Sequence, residues 1–448
     1  MSGSIHGYQK VFLPEWGTAV LKDALLSESD RKLASELASE PEARLNIDEM
    51  REGVRIQARS WVGVVRFDSF ELLIEPKLAG NQLGLVKLIE FTTGLDALKA
   101  NSGARDLLTG GADLFDLVSL LFVEACERLV RDGLFSDYIE HEDELPMIRG
   151  RLLADRQVLE KFGRIDKLLC RFDEQHLNLP ENQLLAIALR HCGRRVQHER
   201  VRQRARALQA IFEDVCDPAA LDVRNARHQI MYHRLNEHYR DAHELAWFVL
   251  DGLGVQDLNA PGKARCFAFL VDMNTLFERF VYRLADAILP LKKYRVRYQF
   301  ASRSIIWNAS LNKPYARVIP DLLIDLQNRA GTSIAVDAKY KTYDERKIAS
   351  QDIYQTFLYA YAYGGVESHA SPSAILIYPS TSSTAGQLRL HIKSVQTSSQ
   401  AQVFALGIDI PAALAEATTR SVGSATAPLI KLIAQLCEGP ARPLLKHI

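Results

Sequence analysis

Two apolar segments separated by a short polar turn constrain this chain's fold more than any other feature. Arg317-Val-Ile-Pro-Asp-Leu-Leu-Ile-Asp and Ser333-Ile-Ala-Val-Asp-Ala-Lys-Tyr are rich in β-branched and aliphatic residues, and Gln327-Asn-Arg-Ala-Gly-Thr between them is polar and contains glycine. Strand and turn chemistry of this kind predicts a β-hairpin. Pairing across it brings the carboxylates of Asp321 and Asp337 to one spot. Side chains alternate along a strand, so Lys339 shares a face with Asp337 while Ala338 points the other way. Two carboxylates suit a hard cation such as Mg²⁺, which takes oxygen ligands and keeps several waters. A lysine beside such an ion can orient or deprotonate a water, or stabilise charge growing on a phosphate. Taken alone, two aspartates and a lysine on a hairpin are also what a solvated strand face looks like.

The flanking segments shift that balance. Asp352-Ile-Tyr-Gln-Thr-Phe-Leu-Tyr-Ala-Tyr-Ala-Tyr-Gly has a helical period and a C-capping glycine at Gly364. Gln355 and Tyr359 are one helical turn apart, so they project from one face and can turn toward the hairpin. Upstream, Asp272-Met-Asn-Thr-Leu-Phe-Glu-Arg-Phe-Val-Tyr-Arg-Leu reads as a helix with an apolar stripe of Leu276, Phe277, Phe280, Val281 and Leu284. Glu278 lies at the margin of that stripe. By itself it reads as an exposed helix acid; beside the hairpin it becomes a third carboxylate.

An acidic helix, then Pro-Asp, then Asp-x-Lys, then a Gln-x-x-x-Tyr helix resembles the order of the PD-(D/E)xK nuclease superfamily. More narrowly, the chain resembles the McrC family, the nuclease subunit of McrBC-type modification-dependent restriction systems. The closer match rests on Met273-Asn-Thr-Leu-Phe-Glu-Arg-Phe-Val, Ile319-Pro-Asp, Val336-Asp-Ala-Lys-Tyr-Lys and Asp352-Ile-Tyr-Gln-Thr-Phe-Leu-Tyr-Ala-Tyr. Weaker motifs lie upstream, in Val62-Gly-Val-Val-Arg-Phe, Leu73-Ile-Glu-Pro-Lys, Pro146-Met-Ile-Arg-Gly-Arg-Leu and Leu179-Pro-Glu-Asn-Gln-Leu-Leu. The resemblance implies an Mg²⁺-dependent DNA endonuclease, with Mn²⁺ as a substitute ion. Asp321, Asp337, the Ala338 carbonyl and Glu278 would hold the metal, Lys339 would activate water, and Gln355 and Tyr359 would position the backbone or the lysine. It also implies DNA carrying a modified cytosine such as 5-methylcytosine as substrate. The implied partner is a hexameric AAA+ GTPase, McrB, which alone carries the GTP and whose hydrolysis the N-terminal part of McrC stimulates. Two complexes, or a dimer, would be needed for double-strand cleavage. No G-x-x-x-x-G-K-[ST] stretch able to cradle phosphates occurs in the chain, so a motor must come from another polypeptide. Two other readings stand beside this one: a DNA nuclease acting alone or with a different motor in repair, and a non-catalytic activator of an AAA+ ring.

Composition bounds the rest. At 448 residues, 47% hydrophobic and 25% charged, the chain can hold two or three domains with real cores. Its formal net charge is zero, so local basic patches or a partner must supply DNA affinity. The six cysteines show no CxxC spacing and read as reduced core residues. The absence of a long apolar run and of a signal-peptide core in Met1-Ser-Gly-Ser-Ile-His-Gly leads to an expectation of a cytoplasmic protein with no membrane contact. The expected fold class is α/β multidomain. A β-rich, partner-binding region at 1–110 is followed by a mainly helical region at 111–258. A restriction-endonuclease-like α/β domain at 259–400, opened by the linker Asn259-Ala-Pro-Gly-Lys, precedes a C-terminal extension at 401–448.

Within those regions, helices are expected from Ser27 to Leu37, from Leu114 to Leu134, and as one long arginine-rich stretch from Asn182 to Ala210. The arginines of that last stretch fit a solvated helix at least as well as a DNA contact. The acid run Glu140, Glu142, Asp143 and Glu144 reads as solvated, and His191 and His198 as surface residues. Arg55, Arg59 and Arg66 can line one face of an N-terminal sheet. Lys292, Lys293, Arg295 and Arg297 are placed to grip phosphates.

Overall fold

In the computed structural model the described residues are 9–39, 43–80, 82–93, 112–160, 162, 166–252, 266–327, 333–344, 347–364, 372–381, 387–393 and 399–438. The chain is mixed α/β and forms two compact units, residues 1–96 with 263–448, and residues 97–262. The expected linker at 259 lies outside the described residues. Among the described residues, no helix is long and apolar enough to cross a membrane.

The first unit opens with strands β1 (Gln9–Pro14) and β2 (Thr18–Lys22), then helix α1 (Glu28–Leu37). Ser27 caps α1 in a reciprocal box: the Asp30 N–H donates to Ser27 Oγ at 3.1 Å and the Ser27 N–H to Asp30 Oδ2 at 3.0 Å. Strands β3 (Leu45–Met50), β4 (Gly53–Ala58), β5 (Trp61–Arg66) and β6 (Phe70–Glu75) and helix α2 (Gln82–Thr93) follow. The order β2-β4-β3 makes one antiparallel sheet. Strand β6 ends one residue before Pro76, which cannot donate to a ladder. The three arginines do not line one face: Arg55 on β4 pairs with Asp48 at 2.7 Å, Arg59 in the turn after β4 reaches Asn46, and Arg66, buried on β5 of the other sheet, lies over the Phe267 ring.

The second unit contains α3 (Leu114–Asp132), strands β7 (Asp137–Leu145) and β8 (Arg151–Leu152), α4 (Ala154–Glu160), and β9 (Leu168–His176). Helices α5 (Pro180–Arg195), α6 (Glu199–Val215), α7 (Val223–Gln229) and α8 (Arg240–Gly252) complete it. The expected single helix across 182–210 is therefore two. Asp116 on α3 accepts the backbone N–H groups of Gln197 and His198 at 2.8 and 3.4 Å, which stabilises a break where helical hydrogen bonds would otherwise run. The arginines are paired as a solvated helix requires: Arg190 with Glu213, Arg202 with Glu199, Arg204 with Glu127, and Arg206 with the Gly193 carbonyl. His191 is buried rather than superficial, and burial holds its pKa down at about 3. In the acid run, Glu142 pairs with Arg156 and Arg171. The Pro-Glu-Asn-Gln motif is a polar knot: Asn182 donates to the carbonyls of Phe135 and Leu177, accepts from Tyr239, and its neighbour Glu181 accepts from Asn236.

The chain re-enters the first unit through β10 (Phe267–Asp272), a strand the sequence reading passes over because its residues run directly into the next helix. Strand β10 pairs antiparallel with β5 and completes the order β1-β6-β5-β10. Gly63 sits at φ +145°, and a Cβ there would lie 2.1 Å from the Phe269 carbonyl oxygen, so this close pairing requires glycine. The N-terminal strands and the segment after 263 are thereby stitched into one unit by backbone hydrogen bonds. Helix α9 (Met273–Ile288) follows, with its buried stripe of Leu276, Phe277, Phe280, Val281 and Leu284 as expected.

Next come β11 (Tyr294–Tyr298), the hairpin β12 (Ser302–Asn308) and β13 (Lys313–Val318), then β14 (Leu322–Leu326), β15 (Ser333–Ala338) and helix α10 (Ser350–Tyr363). Strands β16 (Ser373–Pro379), β17 (Gln387–Lys393) and β18 (Ser399–Ile408) precede helices α11 (Ile410–Thr418) and α12 (Ala427–Glu438). Six strands form a mixed sheet in the order β11-β14-β15-β16-β18-β17, parallel at β15–β16 and β16–β18. Strand β18 lies inside this sheet, so residues beyond 400 supply a core strand rather than an appendage. Tyr359 and Ala360 of α10 pack on Ala335, Ala374 and Ala401, small residues that let the helix approach the sheet closely.

Candidate active site

The β14–β15 ladder runs antiparallel with Leu322 opposite Val336. One step further along, Asp321 and Asp337 face each other at the strand ends. The backbone N–H of Ala338 donates to Asp321 Oδ2 at 2.7 Å, which fixes that carboxylate against the neighbouring strand. Asp337 is fully buried, and its Oδ1 accepts from Lys339 Nζ at 2.9 Å. Its Oδ2 has no nitrogen or hydroxyl donor among the described residues, and the Asp321 carboxyl, when protonated, is within hydrogen-bond reach of Asp337. An unsatisfied buried carboxylate oxygen is costly, and native structures rarely leave one without a proton, water or cation.

Helix α10 holds the approach to Asp321. Tyr359 donates its hydroxyl to the Ile319 carbonyl at 2.8 Å, and Gln355 Nε2 donates to that hydroxyl at 2.8 Å. One turn on, Tyr363 donates to the Val318 carbonyl at 2.6 Å. The Gln355–Tyr359 pair thus clamps the Ile319-Pro320 backbone that delivers Asp321. Gln299 acts from the other side: its N–H donates to the Asp321 carbonyl at 2.8 Å, and its side chain hydrogen-bonds Glu278. Gln299 adopts φ +43°, an uncommon conformation for a side chain other than glycine, at a cost of about 1 kcal/mol.

Electrostatics mark the same place. Burial, reinforced by the negative charges of Glu278 and Asp337, pushes the Asp321 carboxyl up to about 8. Burial also raises Asp337, against the opposing pull of Lys339, and raises Glu278 in the same way. Burial disfavours the Lys339 ammonium, yet the carboxylates of Asp337 and Asp321 outweigh it and hold the lysine above its ordinary value. Three acids thus share one cationic side chain. That deficit of positive charge, the orphan Asp337 oxygen and an all-oxygen donor set fit a hard divalent ion. Glu278 couples to the aspartates through space. Among the described residues, the one trio of potential ligand atoms lying within 4.8 Å of one another is Asp30, Asp68 and Cys266. There Asp30 already serves the α1 cap and accepts from the Asp68 N–H and the Cys266 thiol, so it is a structural hub.

Other residues around the site were not singled out in sequence. Lys341 and Tyr343 both donate to the buried Asp352 carboxylate at the start of α10, tying the helix to the segment after β15. Tyr340 lies against Phe277, with ring centroids 5.7 Å apart, and its hydroxyl donates to buried Glu15 at 2.7 Å. The Lys77 N–H donates to the same Glu15 oxygen at 2.6 Å, which gives the Glu-Pro-Lys motif a role in holding this carboxylate. Tyr363 could have been found from its spacing to Tyr359; Glu15 and Gln299 carry no local signal. Of the expected phosphate-gripping residues, Arg297 pairs with Asp325 at 2.7 Å and lies 3.9 Å over the Phe300 ring.

Comparison with known proteins adds a family. No curated protein matches the chain. One chain of a solved structure, the refined half-complex from the tetradecameric assembly of Thermococcus gammatolerans McrB AAA+ hexamers with bound McrC, is similar in fold. It is 18% identical, with a TM-score of 0.54, covering 92% of this chain and 100% of that one. A chain of the cryo-EM structure of the Thermococcus gammatolerans McrBC complex is 21% identical, with a TM-score of 0.47, over 64% of this chain and 90% of that one. A family model described as McrBC 5-methylcytosine restriction system component matches residues 56–379, a span that takes in Glu278, Asp321, Asp337, Lys339, Gln355 and Tyr359. That span is well over half of the sequence, and the chain belongs to this family of McrBC 5-methylcytosine restriction system components.

Proposed function

We propose that the chain is the endonuclease subunit of a modified-cytosine-dependent restriction system with a PD-(D/E)xK-type centre. It would hydrolyse DNA phosphodiester bonds with Mg²⁺, or Mn²⁺ in its place, when assembled with an McrB-like AAA+ GTPase hexamer. The partner alone would bind GTP, and this chain would stimulate its hydrolysis. The observation that carries the reading is the Asp321–Asp337 pair, with Asp337 fully buried, Lys339 Nζ 2.9 Å from it and its second oxygen without a nitrogen or hydroxyl donor. Asp321, Asp337 and the Ala338 carbonyl would hold the ion, with Glu278 completing the acidic set. When bound, Mg²⁺ supplies positive charge that offsets the charge growing on the attacked phosphate.

The protein's own groups divide the remaining work. Lys339, held charged by its carboxylate neighbours, donates a hydrogen bond that orients the attacking water or steadies the phosphate oxygens. Glu278, whose carboxyl is raised by burial, would accept the proton that water gives up. Gln355 and Tyr359 keep the Ile319-Pro320 backbone, and so Asp321, in place.

The test is cleavage of 5-methylcytosine-containing DNA by the chain with its AAA+ partner, GTP and Mg²⁺. Lys339→Ala is expected to lower cutting by about 100-fold or more while leaving stimulation of the partner's GTP hydrolysis intact. Cutting by that variant at the wild-type rate would sink the assignment of Lys339.

A further inference from the structure

We propose that the β12–β13 hairpin is a DNA-gripping arm that holds the nucleic-acid strand beside Asp321; this deepens the nuclease reading and rests on it. The arm is continuous with the site, because β13 ends at Val318 and the chain passes through Ile319 and Pro320 directly to Asp321. Its base is rigid. Phe300, Ile305 and Ile306 pack against the cluster of Val318, Leu323 and Tyr359, and the hydroxyls of Tyr363 and Tyr359 hold the carbonyls of Val318 and Ile319.

The outer half is built differently. Trp307 is 48% exposed, Leu311 62% and Tyr315 73%, on a two-stranded ribbon that belongs to no larger sheet. Ile306 pairs with Ala316, whereas Trp307 pairs with Pro314, so Tyr315 is the extra residue of a β-bulge. Bulges recur beside active sites, where they re-aim a side chain.

Charge identifies the occupant. Lys313 and Arg317 flank Tyr315 and are exposed, and their side chains make no ion pair or hydrogen bond with any described residue. Arginines on other strands of this unit are used internally at several positions: Arg55 on Asp48, Arg297 on Asp325 and Arg389 on Gln402. Two uncompensated cations interleaved with exposed aromatic rings suit a polyanion bearing flat bases. The cations meet phosphates, and the rings stack on a base or lie along a sugar. A chain with zero net charge holds DNA through such a local patch or through a partner. An uncharged or basic protein surface would leave both cations unmatched, and an acidic one would offer the rings no bases to stack on.

The experiment is fluorescence anisotropy of a short labelled DNA, as duplex and as single strand, titrated with the full chain in EDTA over a salt series. Two double variants, Lys313→Ala with Arg317→Ala and Trp307→Ala with Tyr315→Ala, are compared with wild type, and thermal melting checks that each is folded. Each pair is expected to weaken binding about tenfold. The cation pair should also make the plot of log affinity against log salt shallower by about 2, at ~0.9 per lost phosphate contact on duplex. The aromatic pair should leave that slope unchanged. Wild-type affinity and slope in both variants, or no binding of either DNA by the wild-type chain, would overturn the proposal. The outcomes separate from those of the nuclease reading. A chain that grips DNA through the hairpin but never cuts with partner, GTP and Mg²⁺ keeps the arm and loses the nuclease. A chain that cuts while both variants bind and cut as wild type does the reverse.

Discussion

Asp321 shows at the scale of one residue how a site is destabilised for use. Its carboxyl is neutral at low pH in both the folded and the unfolded chain. As pH rises past the ordinary carboxylate range, the unfolded chain loses the proton freely while burial and the facing acids keep it on the folded chain up to about 8. The folded state binds more protons across that window, so stability falls as pH rises through it. Asp321→Asn should therefore melt higher than wild type at pH 8 without divalent ions, by on the order of 1 kcal/mol or more. Added Mg²⁺ should raise the melting point of wild type and not of the variant, a difference that calorimetry or dye-based melting reads directly. A variant that melts lower than wild type under metal-free conditions would mean that the carboxylate is structural. That Asp321, Asp337 and Lys339 come together was legible in sequence, because strand alternation and hairpin pairing are local rules. Gln299 was not: its role depends on a positive φ and on where the chain lies after β11, neither of which a residue type encodes.

Among the elements, α10 shows how a helix can hold a strand end without touching the chemistry. Of three side chains spaced four apart, Tyr359 and Tyr363 donate to the carbonyls of Ile319 and Val318, and Gln355 donates to the Tyr359 hydroxyl. Tyr359→Phe removes one hydroxyl that both accepts and donates, at a stability cost of about 1 kcal/mol. If the clamp positions Asp321, cleavage turnover should fall about tenfold or more with little change in DNA KM, since small misplacements of a reacting group are costly. A loss confined to melting temperature would assign Tyr359 to packing alone. Element boundaries were legible where a cap or a proline wrote them, as at Ser27 and Pro76. The break between α5 and α6 was not, because Asp116, 81 residues from Gln197, provides its hydrogen bonds. Strand β10 likewise takes its pairing partner, β5, from far earlier in the sequence, and its residues run directly into a helix.

In the first unit as a whole, the N-terminal segment and the carboxylate-bearing part share one core through several joints. Among them are the β5–β10 ladder, the contact of Phe91 with Phe280 and the Tyr340 hydroxyl on buried Glu15. Tyr340 neighbours Lys339, and its ring rests on Phe277, the residue before Glu278. Tyr340→Phe keeps the ring and removes a donor from a buried carboxyl, so it should destabilise the unit by about 1–3 kcal/mol. Hydrogen exchange should show the loosening in β1 and in the segment after β15 together. Protection lost in only one of the two would mean that the joint does not couple them.

What this sequence determined by itself is what short-range periodicity and turn chemistry can carry. The catalytic-type hairpin, the amphipathic helices either side of it and the order of motifs all follow from residues within a few turns of one another. Tertiary structure alone decided which distant groups close the site: Glu15 beneath Tyr340, Gln299 between Asp321 and Glu278, and β18 inside the sheet. Those contacts join residues far apart in the chain, and burial and hydrogen-bond satisfaction select such pairings only once the core exists.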